Sequence, residues 1–187
     1  MGVNATKWSL HQLAELDQPL VIKRTLDLAA DLRARDRQAI LSASPMKVAA
    51  VISYRFGQAQ INCRVAIHLV VPSSRSLVPV KLPLKFRYRE IYVANQTALK
   101  RYEQQHPHGD TVLTPDTNGQ IDFEKSLIDN VILQIPSRVL SEREKREHLM
   151  PKGKGWAVIS EDDYHHSKAN QSKVDPRLAK LKNYFKK

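Results

Sequence analysis

Four cations in the segment 79–93, P-V-K-L-P-L-K-F-R-Y-R-E-I-Y-V, are spaced so that together they can bind phosphate groups. Lys81, Lys85, Arg87 and Arg89 all occupy odd positions, and successive residues of a β-strand point to opposite faces. The even positions carry Val80, Leu82, Leu84, Phe86 and Tyr88. The segment therefore predicts a strand with one packed face and one cationic face. Because neighbouring cations repel one another, we expect this face to meet an anionic partner.

The net charge of +11 is concentrated in two segments. Residues 75–101 contain seven Lys or Arg against Glu90 alone, and residues 173–187 contain six against Asp175 alone, so these segments carry the whole excess. Clustered cations are typical of nucleic-acid binding because they displace counterions from phosphates. A basic surface that serves only solubility is the alternative. The predicted RNA contacts are Arg75, Lys81, Lys85, Arg87, Arg89, Lys180, Lys182, Lys186 and Lys187.

The chain offers few residues that could form a catalytic site, a metal site or a nucleotide-binding loop. The scattered glycines form no phosphate-binding loop, and no G-x-S-x-G motif is present. His165–His166 and His106-x-His108 lie in polar stretches without partner ligands, so we interpret them as surface histidines. The acidic run 161–163 could hold Mg²⁺, but it lies in an aperiodic segment, and catalytic carboxylates need a rigid scaffold. We predict no catalytic residue, no metal and no cofactor.

Aromatic residues near the cationic strand could stack on RNA bases. They are Tyr54, Phe56, Phe86, Tyr88 and Tyr92. Phe86 and Tyr88 share the apolar face of the strand, so we predict core packing for these two. The chain contains no RNP or G-x-x-G signature of a known RNA-binding module.

Cysteine content and hydropathy indicate the compartment. The single cysteine, Cys63, lies in an apolar run and is predicted to be a small buried residue. One cysteine excludes a disulfide framework and a Cys-based zinc site within one chain. No apolar run approaches the ~20 residues of a membrane span, and the first residues do not resemble a signal peptide. We therefore expect a cytoplasmic protein with no membrane partner.

The cationic strand is the last of three long strands predicted from alternation. The first two strands are predicted to form a hairpin: they are Met46–Phe56 and Ala59–Val71, joined near Gly57–Gln58. Residues 72–79 then connect this hairpin to the cationic strand. Leu20–Leu28 is a further strand-like segment. These short connections predict an antiparallel meander, and closure of the sheet into a barrel is left open.

One convincing helix follows the strands. Asp122 is predicted to cap a helix over Phe123–Gln134 that packs on the sheet. Its apolar stripe consists of Leu127, Ile128, Val131 and Ile135. Asp129 on this helix has no evident structural role. Near the N-terminus, Ser9 is predicted to cap a short helix.

The remaining segments are polar. Ala94–Gln120 is predicted to be a loop that could contain a helical turn around Leu99–Tyr102. Glu161–Lys173 is polar and shows no periodicity. Arg177–Tyr184 has the pattern of a basic helix. We predict one α+β domain over residues 1–160, followed by a polar linker and a basic helix or tail over residues 161–187.

Four motifs in this order resemble the YceD family, the large ribosomal RNA subunit accumulation proteins of bacteria and chloroplasts. The first two are S-S-R-S-L-V-P-V at Ser73–Val80 and D-F-E-K-S-L-I-D-N-V-I-L-Q-I-P at Asp122–Pro136. The other two are L-D-Q-P-L…T-L-D-L within Leu16–Leu28 and D-P-R-L-A-K-L-K at Asp175–Lys182. The resemblance covers most of the chain.

The resemblance implies a cytoplasmic protein needed for synthesis, processing or stability of 23S ribosomal RNA, without an established catalytic residue. Many relatives carry C-x-R-C-L-x-P in the linker and a further cysteine after the helix. Here Ser73 and Ser76 occupy the linker positions, and no cysteine follows Pro136. Arg75, Leu77 and Pro79 remain, so this part of the motif cannot depend on thiolates.

Together these patterns predict an α+β protein with an antiparallel sheet, one packed central helix and short terminal helices. We predict a non-enzymatic ribosome-biogenesis factor that binds large-subunit ribosomal RNA or its precursor. The alternative is a protein-binding adaptor or assembly chaperone for a ribosomal protein or an RNA-processing enzyme. An RNA-processing enzyme would require Asp129 to lie near two other acids.

Overall fold

The computed structural model describes residues 6–106, 111–146, 150, 152–159 and 161–170. Contacts group the chain into two compact units, Met1–Val139 and Leu140–Lys187, which are described separately. The domain boundary predicted at residue 160 falls inside the second unit. No helix among the described residues has the length and apolar character that crossing a membrane requires.

The described residues contain ten strands and six helices. The strands are β1 (Lys7–Ser9), β2 (Leu20–Leu26), β3 (Ser42–Ala43), β4 (Met46–Arg55), β5 (Gln58–Pro72), β6 (Pro79–Val93), β7 (Thr111–Leu113), β8 (Gln120–Asp122), β9 (Lys152–Gly153) and β10 (Trp156–Ala157). The helices are α1 (Leu10–Ala14), α2 (Ala29–Arg35), α3 (Gln96–Gln105), α4 (Phe123–Leu133), α5 (Glu142–Arg146) and α6 (Glu161–Asn170).

β4, β5 and β6 form the predicted antiparallel meander. Phe56 and Gly57 join β4 to β5 and have φ angles of 53° and 79°. Positive φ at both central residues is the geometry of a type I′ turn, whose twist matches that of the flanking strands. β5 and β6 each have 15 residues and pair along their whole length. The hairpin and the bounds of the cationic strand are thus confirmed.

The sheet is open. Its strand order is β2-β4-β5-β6-β7, with β3 also paired to β5. All these pairs are antiparallel except β6–β7, which is parallel. Because β2 and β7 stand at opposite ends of this order, the sheet does not take the barrel form that the sequence left open. The predicted α+β class is confirmed.

α4 covers one face of the sheet. Phe123, Leu127 and Val131 are almost completely buried and belong to the same apolar cluster as the inward residues of β4 and β5. Burial of each such side chain stabilises the fold by about 1.5–3 kcal/mol. The Asp122 side chain accepts a hydrogen bond from the Lys125 N–H at 3.0 Å, which confirms the predicted N-cap. Ser9 caps α1 through a reciprocal pair of hydrogen bonds with Gln12, as predicted.

The loop predicted over residues 94–120 was wrong, although the helical turn around Leu99–Tyr102 lies within α3. The segment 94–120 contains α3 and the short strand β7 rather than a loop. The Asn95 side chain caps α3 by accepting a hydrogen bond from the Ala98 N–H at 2.9 Å. No residue of α3 is fully buried, and only Ala98, Leu99 and Tyr102 form its apolar stripe. In the second unit, α6 occupies Glu161–Asn170 although the sequence there shows no apolar periodicity. Glu161 and Asp163 lie in its first turn, where negative charge stabilises a helix.

Cys63 is 2% exposed, which confirms it as a small buried residue. Burial raises the pKa of its thiol to about 11, so the reactive thiolate is scarce near neutral pH. We expect the folded protein not to react with a chromogenic disulfide reagent at mildly alkaline pH. The same protein in denaturant should react fully at its single cysteine. Rapid labelling under native conditions would contradict the burial.

Candidate nucleic-acid interface

The two-faced character of β6 is confirmed. Lys81, Lys85, Arg87 and Arg89 are exposed. The residues that alternate with them are partly buried and pack against the apolar core: Val80, Leu82, Leu84, Phe86 and Tyr88. The four predicted cations therefore share the sheet face that points away from the core.

Strand pairing brings cations of three further strands onto this face. Arg64 of β5 lies directly opposite Arg87 of β6. Two cross-strand rows result from the register: Lys23–Ala49–Arg64–Arg87 and Thr25–Lys47–Ala66–Lys85. We call this surface the cationic face. Its cations are Lys23, Lys47, Arg64, Lys81, Lys85, Arg87 and Arg89.

Small residues shape the centre of the cationic face into a depression. Ala49 and Ala66 stand between longer cationic side chains in the two rows. The depression has a volume of about 770 Å³ and is lined by residues of β2, β4, β5 and β6. A second depression of about 630 Å³ includes Val21, Asn62 and Arg89. A ligand can therefore approach the backbone of the sheet while cations contact it from both sides.

The strand positions of the cationic face hold no acidic residue. At the positions of β2, β4, β5 and β6 that point to this face, the described strands contain no Asp or Glu. Among the described residues, no ion pair involves Lys23, Lys47, Arg64, Lys85 or Arg87. Like charges directly opposite each other in a sheet are destabilising, as at Arg64 and Arg87. A bound polyanion would relieve this repulsion.

Arg75 does not lie on the cationic face. It sits in the connection between β5 and β6, where the Ser73 hydroxyl accepts hydrogen bonds from the backbone N–H groups of Arg75 and Ser76 at 3.2 and 3.5 Å. Ser73 is buried, so this serine organises the turn by hydrogen bonding. The other predicted contacts, Lys180, Lys182, Lys186 and Lys187, lie outside the described residues.

The candidate metal and catalytic groups do not converge. Among the described residues, no three His, Cys, Asp or Glu side chains lie close enough to hold a metal ion. His106, His165 and His166 are exposed, whereas His108 lies outside the described residues. Asp129 has a structural partner, Arg35 of α2, at 3.1 Å. The expectation of no enzymatic activity stays a prediction.

A polar network connects β6 to α4 beneath the cationic face. Glu90 is 5% exposed, and its carboxylate accepts hydrogen bonds from Ser126 at 2.7 Å, Asn130 at 2.6 Å and Tyr92 at 3.0 Å. Because the Ser126 hydroxyl donates its one proton to Glu90, Tyr88 must donate to Ser126 across their 3.0 Å contact. Burial raises the pKa of both tyrosines well above the ordinary value, which keeps them protonated as donors.

The five aromatic residues near the cationic strand differ in their exposure. Phe86 and Tyr88 face the core, which confirms their predicted packing role, and Tyr92 is buried. Tyr54 also packs against the core cluster. Phe56 at the β4–β5 turn is 98% exposed.

The sequence prediction missed Lys23, Lys47 and Arg64. Lys47 and Arg64 are isolated cations and Lys23 has only Arg24 beside it, so none of the three lies in a strongly charged segment. Alternation along β5 already placed Arg64 on the face opposite Cys63 and Val65. Only the register between strands shows that these cations adjoin Lys85 and Arg87.

Comparison with known proteins places these elements in a family. A family model described as "Large ribosomal RNA subunit accumulation protein YceD" matches residues 61–185, which include β6, α4 and most of β5. The "Uncharacterized protein YlbN" of Bacillus subtilis (strain 168) is 28% identical, and the alignment covers 96% of each chain. No solved structure shows a significant match. The match over most of the chain shows that this protein belongs to the YceD family.

Proposed function

We propose that this protein is a non-enzymatic cytoplasmic factor that binds large-subunit ribosomal RNA or its precursor through the cationic face. The observation that carries the proposal is the gathering of cations from four strands on one face without an acidic residue among them. The family name, which refers to accumulation of large-subunit ribosomal RNA, supports RNA as the class of polyanion. Bound RNA would then be held or protected during assembly.

The chemistry of the cationic face suits backbone phosphates. Arginine presents a planar fork of donors that matches a phosphate, and lysine adds a mobile point charge. Four strands spaced about 4.8 Å apart give the face a width of about 14 Å, enough for one nucleic-acid strand. Contacts to phosphates fix the position of an RNA but read no sequence. We therefore expect affinity that depends strongly on salt and weakly on sequence.

Neutralising Lys47 and Arg64 tests whether β4 and β5 take part in RNA binding. For the double variant K47Q/R64Q, we expect the slope of log affinity against log salt concentration to become shallower by about 1.4, since each phosphate contact on a single strand contributes about 0.7. Fluorescence anisotropy with a labelled 23S ribosomal RNA fragment, repeated over a salt series, measures this slope. An unchanged slope would show that RNA contacts β6 alone.

Crosslinking in cells tests the identity of the ligand. We expect sequencing of RNA crosslinked to the protein to recover large-subunit ribosomal RNA well above its level in a mock purification. A variant with the β6 cations reversed serves as the matched control and should lose this enrichment. Equal enrichment of unrelated messenger RNA would contradict specific action on the large subunit.

The adaptor alternative receives less support from the sheet. Its partner would add a strand at an open edge or bring an acidic surface to β6. The edge strand β2 carries Lys23 and Arg24, and charged residues are typical of edges protected against strand addition. Pull-down with and without nuclease separates the two functions, because an RNA-mediated association disappears on digestion.

A further inference from the structure

Phe56 combines two features that cost a folded protein stability. Its side chain is 98% exposed, and its φ angle is +53°. The first central position of a type I′ turn favours Asn, Asp or Gly, and a bulky residue at positive φ is an outlier. Strained backbone of this kind clusters at functional sites. The turn itself therefore does not account for a phenylalanine at this position.

Phe56 lies at one end of the cationic face. The last residue of β4, Arg55, is exposed and follows Val51 and Ser53 at the positions that point to this face. Val51 belongs to the row that contains Arg89. Phe56 lies five positions after Val51, which corresponds to roughly 16 Å along an extended strand.

Amide side chains fill the interval between Arg89 and Phe56. Gln58, Gln60 and Asn62 occupy alternate positions of β5 on the same face, and none of the three is buried. Within the described part of the chain, their side chains form no hydrogen bond. An amide both donates and accepts hydrogen bonds, as contact with the edges of unpaired bases requires. Cations, amides and an exposed ring therefore follow one another along this surface.

We propose that Phe56 is a stacking platform for an unpaired base of single-stranded RNA whose phosphates lie on the cationic face. This inference rests on the proposed function and adds a ligand class, single-stranded rather than duplex RNA. Base–aromatic stacking tolerates any base and requires an accessible ring face. The other aromatic residues of β4, β5 and β6 pack against the core or are buried, which leaves Phe56 for this role.

Substitution Phe56→Asn separates binding from stability. Asn adopts the turn conformation readily, so F56N should raise the thermal unfolding midpoint. The same variant should bind a single-stranded oligoadenylate roughly 5- to 150-fold more weakly, because one base loses its stacking partner. F56W is the matched control and should bind at least as tightly as the parent protein. An unchanged affinity of F56N for oligoadenylate would overturn the proposal.

A duplex probe and a leucine variant test the ligand class. F56N should bind an RNA duplex as the parent protein does, since a paired base is not available for stacking. F56L keeps an apolar side chain without a ring and should lose oligoadenylate affinity as F56N does. Full affinity of F56L would overturn stacking and indicate an apolar contact, as in docking to a protein.

The proposed function can be tested independently of base stacking on Phe56. If F56N binds oligoadenylate normally and reversal of the β6 cations abolishes binding, stacking on Phe56 is contradicted. RNA binding by the cationic face is then still supported. If neither variant changes binding, both proposals are wrong.

Discussion

Reversal of the four β6 cations, K81E/K85E/R87E/R89E, should weaken RNA binding about 100-fold or more at ~0.1 M salt. For a single strand, each phosphate contact contributes about 0.7 to the slope of log affinity against log salt, so the loss of four contacts should flatten this slope by about 3. The loss should be similar for RNA fragments of unrelated sequence, because phosphate contacts read no bases. Fluorescence anisotropy with labelled 23S ribosomal RNA fragments measures both quantities.

A matched control distinguishes the cationic face from net charge. R33E/R37E/K125E/R138E makes the same change in net charge at exposed positions outside the strands of the cationic face. Because screening confines electrostatic contacts to about 8–10 Å near physiological salt, this variant should lose little affinity. Equal losses in the two variants would indicate an effect of overall charge, and unchanged affinity of the β6 variant would contradict the proposed interface.

The second large effect concerns stability. Replacing Glu90 by Ala should lower the free energy of unfolding by about 3 kcal/mol or more, because two buried donors and one partly buried donor lose their acceptor and each such loss costs about 1–3 kcal/mol. Those donors belong to Tyr92, Ser126 and Asn130. In a chain of this size the unfolding midpoint should fall by roughly 6–12 °C. Urea unfolding followed by circular dichroism measures the change.

Glu90→Gln is the isosteric control. In E90Q the glutamine oxygen can still accept from the Asn130 amide, but the glutamine N–H group then faces the Ser126 and Tyr92 hydroxyls, which can no longer donate to it. E90Q should therefore cost about 1–3 kcal/mol, less than E90A. E90A should also cost less in a background that carries S126A, since one donor is then absent. A stability of E90A within about 1 kcal/mol of the parent protein would contradict the network.

The predictions from sequence succeeded where a single element carries its own pattern. The alternation of β6, the N-cap at Asp122 and the turn at Gly57 are local signals, and the structure has all three. The remainder of the cationic face could not be predicted in this way. Lys23, Lys47 and Arg64 lie beside β6 only because of the register between strands, which alternation in one segment does not specify.

Other features could not be predicted from the sequence, each for a different physical reason. α3 is polar apart from Ala98, Leu99 and Tyr102, and this stripe spans little more than one turn, which is too short to identify the whole helix from its sequence. Glu90 stood as one acid in a basic segment, and its partners Ser126 and Asn130 are 36 and 40 residues away in the chain. Phe56 was grouped with four other aromatic residues, and only the fold shows that it alone among them is fully exposed.

The strict alternation along β5 and β6 also limits how this hairpin can misfold. A slip of β6 by one residue would turn Lys85 and Arg87 toward α4 and expose Leu84 and Phe86 to water. Each cation buried in this way would cost several kcal/mol, so such misregistered states are strongly disfavoured. The residues proposed to hold RNA thus also exclude competing folds. A variant that replaces them with apolar residues should gain alternative strand pairings and aggregate.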